Sequence, residues 1–304
     1  IEGFASGGLL QQTTDVENYP GYPEGIMGPE MMQQLRDQAE RFGTRFITDD
    51  ATRVEFSKGG LHKVWVGDQE ITARSVVLAM GAEPKKLGVP GEEELSAKGV
   101  SYCATCDAAF FRDKPTIVVG GGDTAMEDAI FLSKFASKVS IVHRREEFRA
   151  SKIMSDRARE TENIELLTPY VIGSFDAGES GMLDKAVLTH TGGGEDRDLD
   201  IDGAFVAVGH RPNSHLVEGQ VKLNEEGFVI TEEPSTRTGL PGVFAAGDLV
   251  DHTYRQAVTA AGSGCKAALD AEWYLRDTPP DPEREWSPDP DAVEKRAEEA
   301  AASS

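Results

Sequence analysis

The chain is short of basic residues. Its 304 residues hold 31 Lys and Arg against 53 Asp and Glu, a formal net charge of -22. Nucleic acid and anionic membranes repel so acidic a surface, so neither is expected as a partner. Long apolar runs are missing too: no stretch reaches the roughly eighteen residues a membrane-spanning helix needs. Residues 1–8 have neither the basic start nor the apolar run of a secretory leader. Cysteine is scarce, with Cys103, Cys106 and Cys265 alone, which excludes a disulfide-dense secreted scaffold. No second Cys-x-x-Cys and no His-x-x-His occurs, so a zinc site would be two ligands short and no metal is expected. What remains is a cytoplasmic protein long enough for two domains. The acid surplus also suits high salt, as in a halophile, where excess carboxylates are screened; a generally acidic cytosolic protein is the plainer reading.

Within the chain there is a weak repeat. Val76-Val-Leu-Ala-Met-Gly81-Ala-Glu-Pro84 resembles Ala204-Phe-Val-Ala-Val-Gly209-His-Arg-Pro212. Each is an apolar strand ending in a Gly-x-x-Pro turn, which points to two copies of one nucleotide-binding design. The second copy reads whole: a strand at 116–119, a glycine turn, a helix at about 126–135, a strand at 139–142, short strands from about 164 to 191, and a closing strand at 204–208. The first copy reads as cut short. It has a helix at 29–42, short strands from about 45 to 66, and the end of a strand at residues 1–3. Its first strand, glycine loop and helix are missing, and a full unit would place about 30 or more residues ahead of Ile1. A truncated chain is the expectation. The fold class is therefore α/β, with two Rossmann-like three-layer domains. One is discontinuous, 1–86 with 212–304, and lacks its N-terminal βα unit. The other is 87–211. A strand at 243–246 leads to a helix at about 256–276, and an acidic tail from about 278 to 304 carries no chemistry.

Three constellations carry chemistry. Gly120-x-Gly122-Asp123-Thr124-Ala125 follows a strand and opens a helix, the setting a dinucleotide fingerprint requires. The first glycine permits the turn, the second lets a pyrophosphate approach, and the small Ala125 lets helix and strand pack. An empty glycine turn is the alternative. At the end of the next strand, where an NAD site carries an acid, stand His143, Arg144 and Arg145, with Arg149 a turn later. Guanidinium forks match a phosphate, which favours NADPH over NADH; a solvated basic patch paired with Glu146 and Glu147 is the alternative. Second, Cys103-Ala-Thr-Cys106-Asp107 suits a redox disulfide, with Asp107 placed to shuttle a proton. Half a zinc site, or a buried structural pair, are the other readings. Third, Gly247-Asp248 precedes His252-Thr-Tyr-Arg255-Gln256-Ala257. An acid after a strand suits a polyol chain, and the N–H groups opening a helix suit an electron-rich ring edge; an ordinary strand–turn–helix is the alternative.

These motifs, with Val16-Glu-Asn-Tyr-Pro-Gly21, resemble in order and spacing the low-molecular-weight, bacterial and archaeal type of thioredoxin reductase, over residues 7 to about 275. The resemblance implies FAD and NADPH as cofactors, thioredoxin as protein partner, and a homodimer. It places Gly120, Gly122, Asp123, Thr124, Ala125, His143, Arg144, Arg145 and Arg149 at NADPH. It places Gly7, Gly8, Asn18, Gly81, Asp248, Arg255, Gln256 and Ala257 around FAD, with Glu2 on the adenosine ribose. Cys106 becomes the thiol nearest the flavin, Cys103 the thiol that attacks thioredoxin, and Asp107 the acid–base group. Cys265 is expected to be a small buried side chain. The disulfide and the NADPH loop share one domain and must reach one flavin, which implies a domain rotation with hinges near residues 84–90 and 209–213. A related disulfide flavoreductase, such as one feeding a peroxiredoxin, a dithiol oxidase, and a non-catalytic zinc- or nucleotide-binding module are the rival functions.

Overall fold

The computed structural model describes residues 1–13 and 15–279. Of the acidic tail expected at about 278–304, all but the first two residues lie outside those described. After a 3-10 turn at Gly8–Gln12 comes a short hairpin, β1 (Asp15–Val16) and β2 (Ile26–Met27), leading into α1 (Gly28–Arg41). Pro29 in its first turn needs no N–H partner, and Glu30 and Arg41 complement the helix dipole at either end. The strand expected at residues 1–3 does not form. Glu2 N–H bonds Ile47 O at 3.0 Å, and Gly3 then turns the chain at φ 70°, too short a pairing for a strand. An antiparallel meander follows: β3 (Ala51–Glu55), β4 (His62–Val66) and β5 (Gln69–Ala73). In β4 His62, Val64 and Val66 are buried in alternation, the period of a one-sided strand. Two short strands, β6 (Val76–Leu78) and β7 (Ala82–Pro84), complete this part.

The next elements build a parallel sheet. They are β8 (Val100–Ser101), α2 (Ala104–Asp107), β9 (Pro115–Val119), α3 (Asp123–Leu132), β10 (Lys138–Val142), α4 (Lys152–Glu160), β11 (Ile164–Leu167), the meander β12 (Tyr170–Ala177), β13 (Leu183–His190) and β14 (Arg197–Asp200), and β15 (Gly203–Val206). The sheet order is β11-β10-β9-β15-β8, parallel throughout. Both faces are covered. Val118, Val139 and Ile141 pack with Ala125, Ala129 and Leu132 of α3 and Ala158 of α4. Ile117, Val119 and Val142 pack with Ile172, Phe175, Ala186 and Leu188 of the meander. Burial on both faces explains why β9 and β10 are mostly apolar, with Thr116 and Ser140 as buried polar exceptions. Helix α3 starts and stops three residues earlier than the sequence suggests, with Gly122 as its N-cap.

From β15 the chain returns through β16 (His210–Pro212). This strand pairs antiparallel with β7, His210 opposite Pro84 and Pro212 opposite Ala82, and Lys85 N–H to Gly209 O at 2.9 Å extends the ladder. Just beyond β7 the buried Glu92 carboxylate accepts from Leu87 N–H at 2.9 Å, Gly88 N–H at 2.7 Å and Tyr102 O–H at 3.1 Å. Strand β17 (Val243–Ala245) lies parallel to β6, and α5 (Ala257–Asp277) packs Ala267 against Phe244 and Ala246. Asp270 locks α5 down, accepting from Thr236 N–H, Thr236 Oγ1 and Ser235 Oγ at 2.7–2.9 Å.

Candidate functional site

The glycine loop joins β9 to α3. A Cβ on Gly120 would lie 2.5 Å from Ala207 O and 2.7 Å from Ala125 Cβ. A Cβ on Gly121 would lie 2.3 Å from the His143 ring, whereas one on Gly122 meets nothing. Steric closeness, rather than a positive φ, is thus what demands glycine at 120. Gly122 instead leaves open space at the N-terminus of a ten-residue helix, the room a pyrophosphate would need. Asp123 and Thr124 are exposed in the first turn and Ala125 is fully buried. A second segment is stapled to this loop: Arg149 N–H and Ala150 N–H bond Gly121 O at 2.7 and 3.0 Å, and Ser151 N–H bonds Asp123 Oδ1 at 2.5 Å. Those bonds bring Arg149 beside the glycines. His143 stacks on Phe148 at 5.1 Å, and burial, helped by the neighbouring arginines, holds its pKa down. Arg144, Arg145 and Arg149 are exposed, and none is ion-paired among the described residues. The pairing with Glu146 and Glu147 therefore does not form. Thr191, which sequence reasoning passed over, donates from Oγ1 to Arg144 O at 3.0 Å and ties the β13 end to this basic edge.

Cys103 and Cys106 form a disulfide with Cα atoms 5.3 Å apart. Among the described residues no group of three or more His, Cys, Asp or Glu could hold a metal ion. Cys103 caps α2, and Ala104 in that helix and Ala108 just beyond it pack in the same cluster as α3. Asp107 is held by Ser101, whose Oγ donates to Oδ2 at 2.6 Å and accepts the Cys103 N–H at 3.1 Å. Burial raises the Asp107 pKa, with the Ser101 bond opposing it, so the carboxyl is an acid poised to give up a proton nearer neutrality. No motif announced Ser101 as the brace of Asp107 and the Cys103 N–H; its place two residues before Cys103 is its only signal.

The third constellation lies at the head of α5. Gly247 adopts φ 71° and donates its N–H to Ser263 Oγ at 2.8 Å. Asp248 follows, with a buried Oδ1 that finds no hydrogen-bond partner among the described residues. Burial, together with Asp251 and against Arg255, pushes its carboxyl up to about 6. Asp251, also missed from sequence, shapes the loop by accepting the N–H groups of Thr253, Tyr254 and Arg255 at 2.7–2.9 Å. That turn holds Arg255 at φ 49° and presents Gln256 as the cap of α5, with Ala257 as its first residue. Asn18 joins this group, donating from Nδ2 to Gln256 Oε1 at 2.9 Å. Gly81, at φ 70°, accepts Asn213 N–H at 3.0 Å. Gly7 and Gly8, at φ 87° and 59°, begin a short 3-10 turn against α1. Glu2 is already engaged, with Thr48 Oγ1 at 2.5 Å and Arg36 at 3.3 Å, bonds that lower its pKa. The disulfide meets this group directly: Gln256 Nε2 donates to Thr105 Oγ1 at 3.2 Å and reaches Cys103 Sγ at 3.9 Å. Cys265, expected to be buried, is exposed, because α5 turns Ala267 and Asp270 inward and leaves position 265 on the other face.

Residues 9–264 match the family described as pyridine nucleotide-disulphide oxidoreductase. The chain is 54% identical over 275 residues to a thioredoxin reductase of Mycolicibacterium smegmatis, covering 90% of this chain and 88% of that one. In three dimensions it resembles a thioredoxin reductase from Streptococcus pyogenes, with a TM-score of 0.84 at 38% identity and coverage of 91% and 90%. Against a thioredoxin reductase from Lactococcus lactis in its FR conformation the TM-score is 0.58 at 36% identity, over 89% of this chain and 88% of that one.

Proposed function

The chain belongs to the pyridine nucleotide-disulphide oxidoreductases, and to the thioredoxin reductases among them, and on that premise we propose that it passes electrons from NADPH through FAD to the Cys103–Cys106 disulfide and on to thioredoxin. The observation that carries the reading is the disulfide loop, with Cys103 and Thr105, seated against Gln256 at the head of α5, where Asn18 also bonds Gln256. The residues there fit the flavin and its polyol chain. Asp248 offers a buried oxygen with no partner among the described residues, and a sugar-alcohol hydroxyl would satisfy it. Gly7, Gly8, Asn18, Gly81, Arg255, Gln256 and Ala257 complete that site. The open N-terminus of α3, with His143 and the three arginines that form no ion pair among the described residues, takes NADPH and its additional phosphate.

When bound, FAD supplies a relay between a hydride donor and a disulfide. The chain's own residues do the rest. Cys103, once reduced, attacks the disulfide of thioredoxin and displaces one of its sulfurs as a thiolate. Cys106 then attacks Cys103 of the mixed disulfide and releases reduced thioredoxin. Asp107, raised by burial, gives its proton to a departing thiolate. The disulfide occupies the flavin side here, so access for NADPH requires the unit at 87–211 to turn relative to the rest. The fall in likeness from 0.84 to 0.58 between two relatives of nearly equal identity supports such a turn.

A second copy of the chain docks on α5, where Val258, Leu269 and Trp273 expose one apolar face. We place the protein in the cytoplasm, working at high ionic strength in keeping with its charge of -22. The test is direct. The purified full-length protein is expected to be yellow and to oxidise NADPH only when oxidised thioredoxin is added. Cys103→Ser is expected to abolish thioredoxin reduction while NADPH still bleaches the flavin. A colourless protein, or one that reduces a small disulfide but no thioredoxin, refutes the reading.

A further inference from the structure

Gln256 spans the two nucleotide-binding units with a single carboxamide. Its Oε1 accepts from Asn18 Nδ2 at 2.9 Å and from the backbone N–H of Thr259. Two donors converge on that oxygen, so the amide cannot be turned over without setting N–H against N–H. The Nε2 end is thereby aimed at the disulfide. It lies 3.2 Å from Thr105 Oγ1, 3.2 Å from Tyr254 O and 3.9 Å from Cys103 Sγ. The Thr105 hydroxyl is itself 3.5 Å from Cys103 Sγ. A disulfide sulfur is a weak acceptor, and a thiolate is a far better one. A donor whose bond strengthens as charge appears speeds the step that creates the charge.

We propose that Gln256 is a catalytic residue for cleavage of the Cys103–Cys106 bond: its Nε2–H stabilises Cys103 Sγ as the leaving thiolate. The proposal rests on the reading above in one respect, that Cys106 is the sulfur attacked. A two-electron donor delivers its pair at Cys106 Sγ, the sulfur–sulfur bond breaks, and Cys103 Sγ leaves with the bonding pair. Transfer of that pair out of the donor releases one proton, which ends on Cys106, so the products are one thiol and one thiolate. The Thr105 hydroxyl is a second donor to the same sulfur. Asn18 acts through Gln256, fixing the amide's direction, and is a positioning residue.

The thiols can be read without NADPH or thioredoxin, so this test stands apart from the question of substrate. The protein is reduced with dithiothreitol and alkylated with iodoacetamide across a range of pH, and each cysteine is followed by peptide mass spectrometry. In Gln256→Leu the Cys103 rate at neutral pH is expected to fall about tenfold and its midpoint to move to higher pH, with Cys106 and Cys265 unchanged. Thr105→Val lies outside the flavin site, so it keeps the test open if Gln256→Leu misfolds, and a fall of about threefold is expected. An unchanged Cys103 profile in these variants overturns the proposal. So does an equal change at Cys106 and Cys265, which reports general loosening rather than a bond to one sulfur.

Discussion

At the scale of single residues, the chemistry depends on groups that brace the cysteines. Ser101 both donates to Asp107 and accepts from the Cys103 N–H. Ser101→Ala removes the bond that holds the Asp107 carboxyl down, so burial raises it further. The alkaline limb of thioredoxin reduction, where the protonated acid is lost, is expected to move to higher pH in a turnover profile. Leaving that carboxylate and N–H unpaired is expected to cost about 1–2 kcal/mol in urea unfolding. Two other groups titrate far from their usual ranges. Asp128 on α3 is pushed to about 7 by burial, with Arg255 opposing and Glu127 assisting. His210 on β16 is pushed to about 4 by burial and by Arg255 and Lys85. Their signs differ. A carboxyl raised in the folded state contributes stability below its ordinary value of 3.8, and that contribution is lost as pH climbs towards 7. A histidine held down contributes above 6.5 and loses the contribution as pH falls towards 4. Melting temperatures measured across that range should therefore flatten in opposite senses. Asp128→Asn removes a decline on the alkaline side, and His210→Gln removes one on the acid side.

At the scale of elements, the three glycines between β9 and α3 have different duties. Gly120→Ala presses a methyl group to 2.5 Å from a backbone oxygen and is expected to lower stability by about 1–3 kcal/mol in chemical denaturation. Gly122→Ala meets no protein atom. It should leave the melting temperature unchanged while raising the KM for NADPH several-fold, because the methyl occupies the phosphate's space. Equal effects of the two changes on stability would contradict this division. Much of this part was legible in the sequence, since the apolar runs of β9 and β10 and the glycine spacing are local. The three arginines were legible as types, but the staple that brings Arg149 to Gly121 O joins residues 28 apart. The contacts of Ser101, Thr191, Asp251 and Asp270 escaped for a related reason. Each is an ordinary polar residue until the fold supplies its partner. Cys265 was misjudged because small residues surround it on α5, and only packing decides which face of that helix turns inward.

At the scale of the whole molecule, the surplus of acid dominates. A charge of -22 repels itself in the compact state, and the strain is relieved when counterions crowd in. The melting temperature is expected to rise steadily as sodium chloride is raised from low concentration to about 1 M, where the Debye length is near 3 Å. A melting temperature independent of salt would show that the charges are too dispersed to matter. The connection between the two halves has a consequence of its own. Strands β7 and β16 are the two passages of the chain between them, and they are bonded to each other rather than running apart. A pair of separate tethers lets two bodies slide or drift as well as swivel. A laced ribbon resists stretching and shearing but twists easily, so it acts as a torsion spring. Whatever motion turnover demands is thereby narrowed to winding about one line. Cutting a single passage with a protease should leave both halves still fastened together.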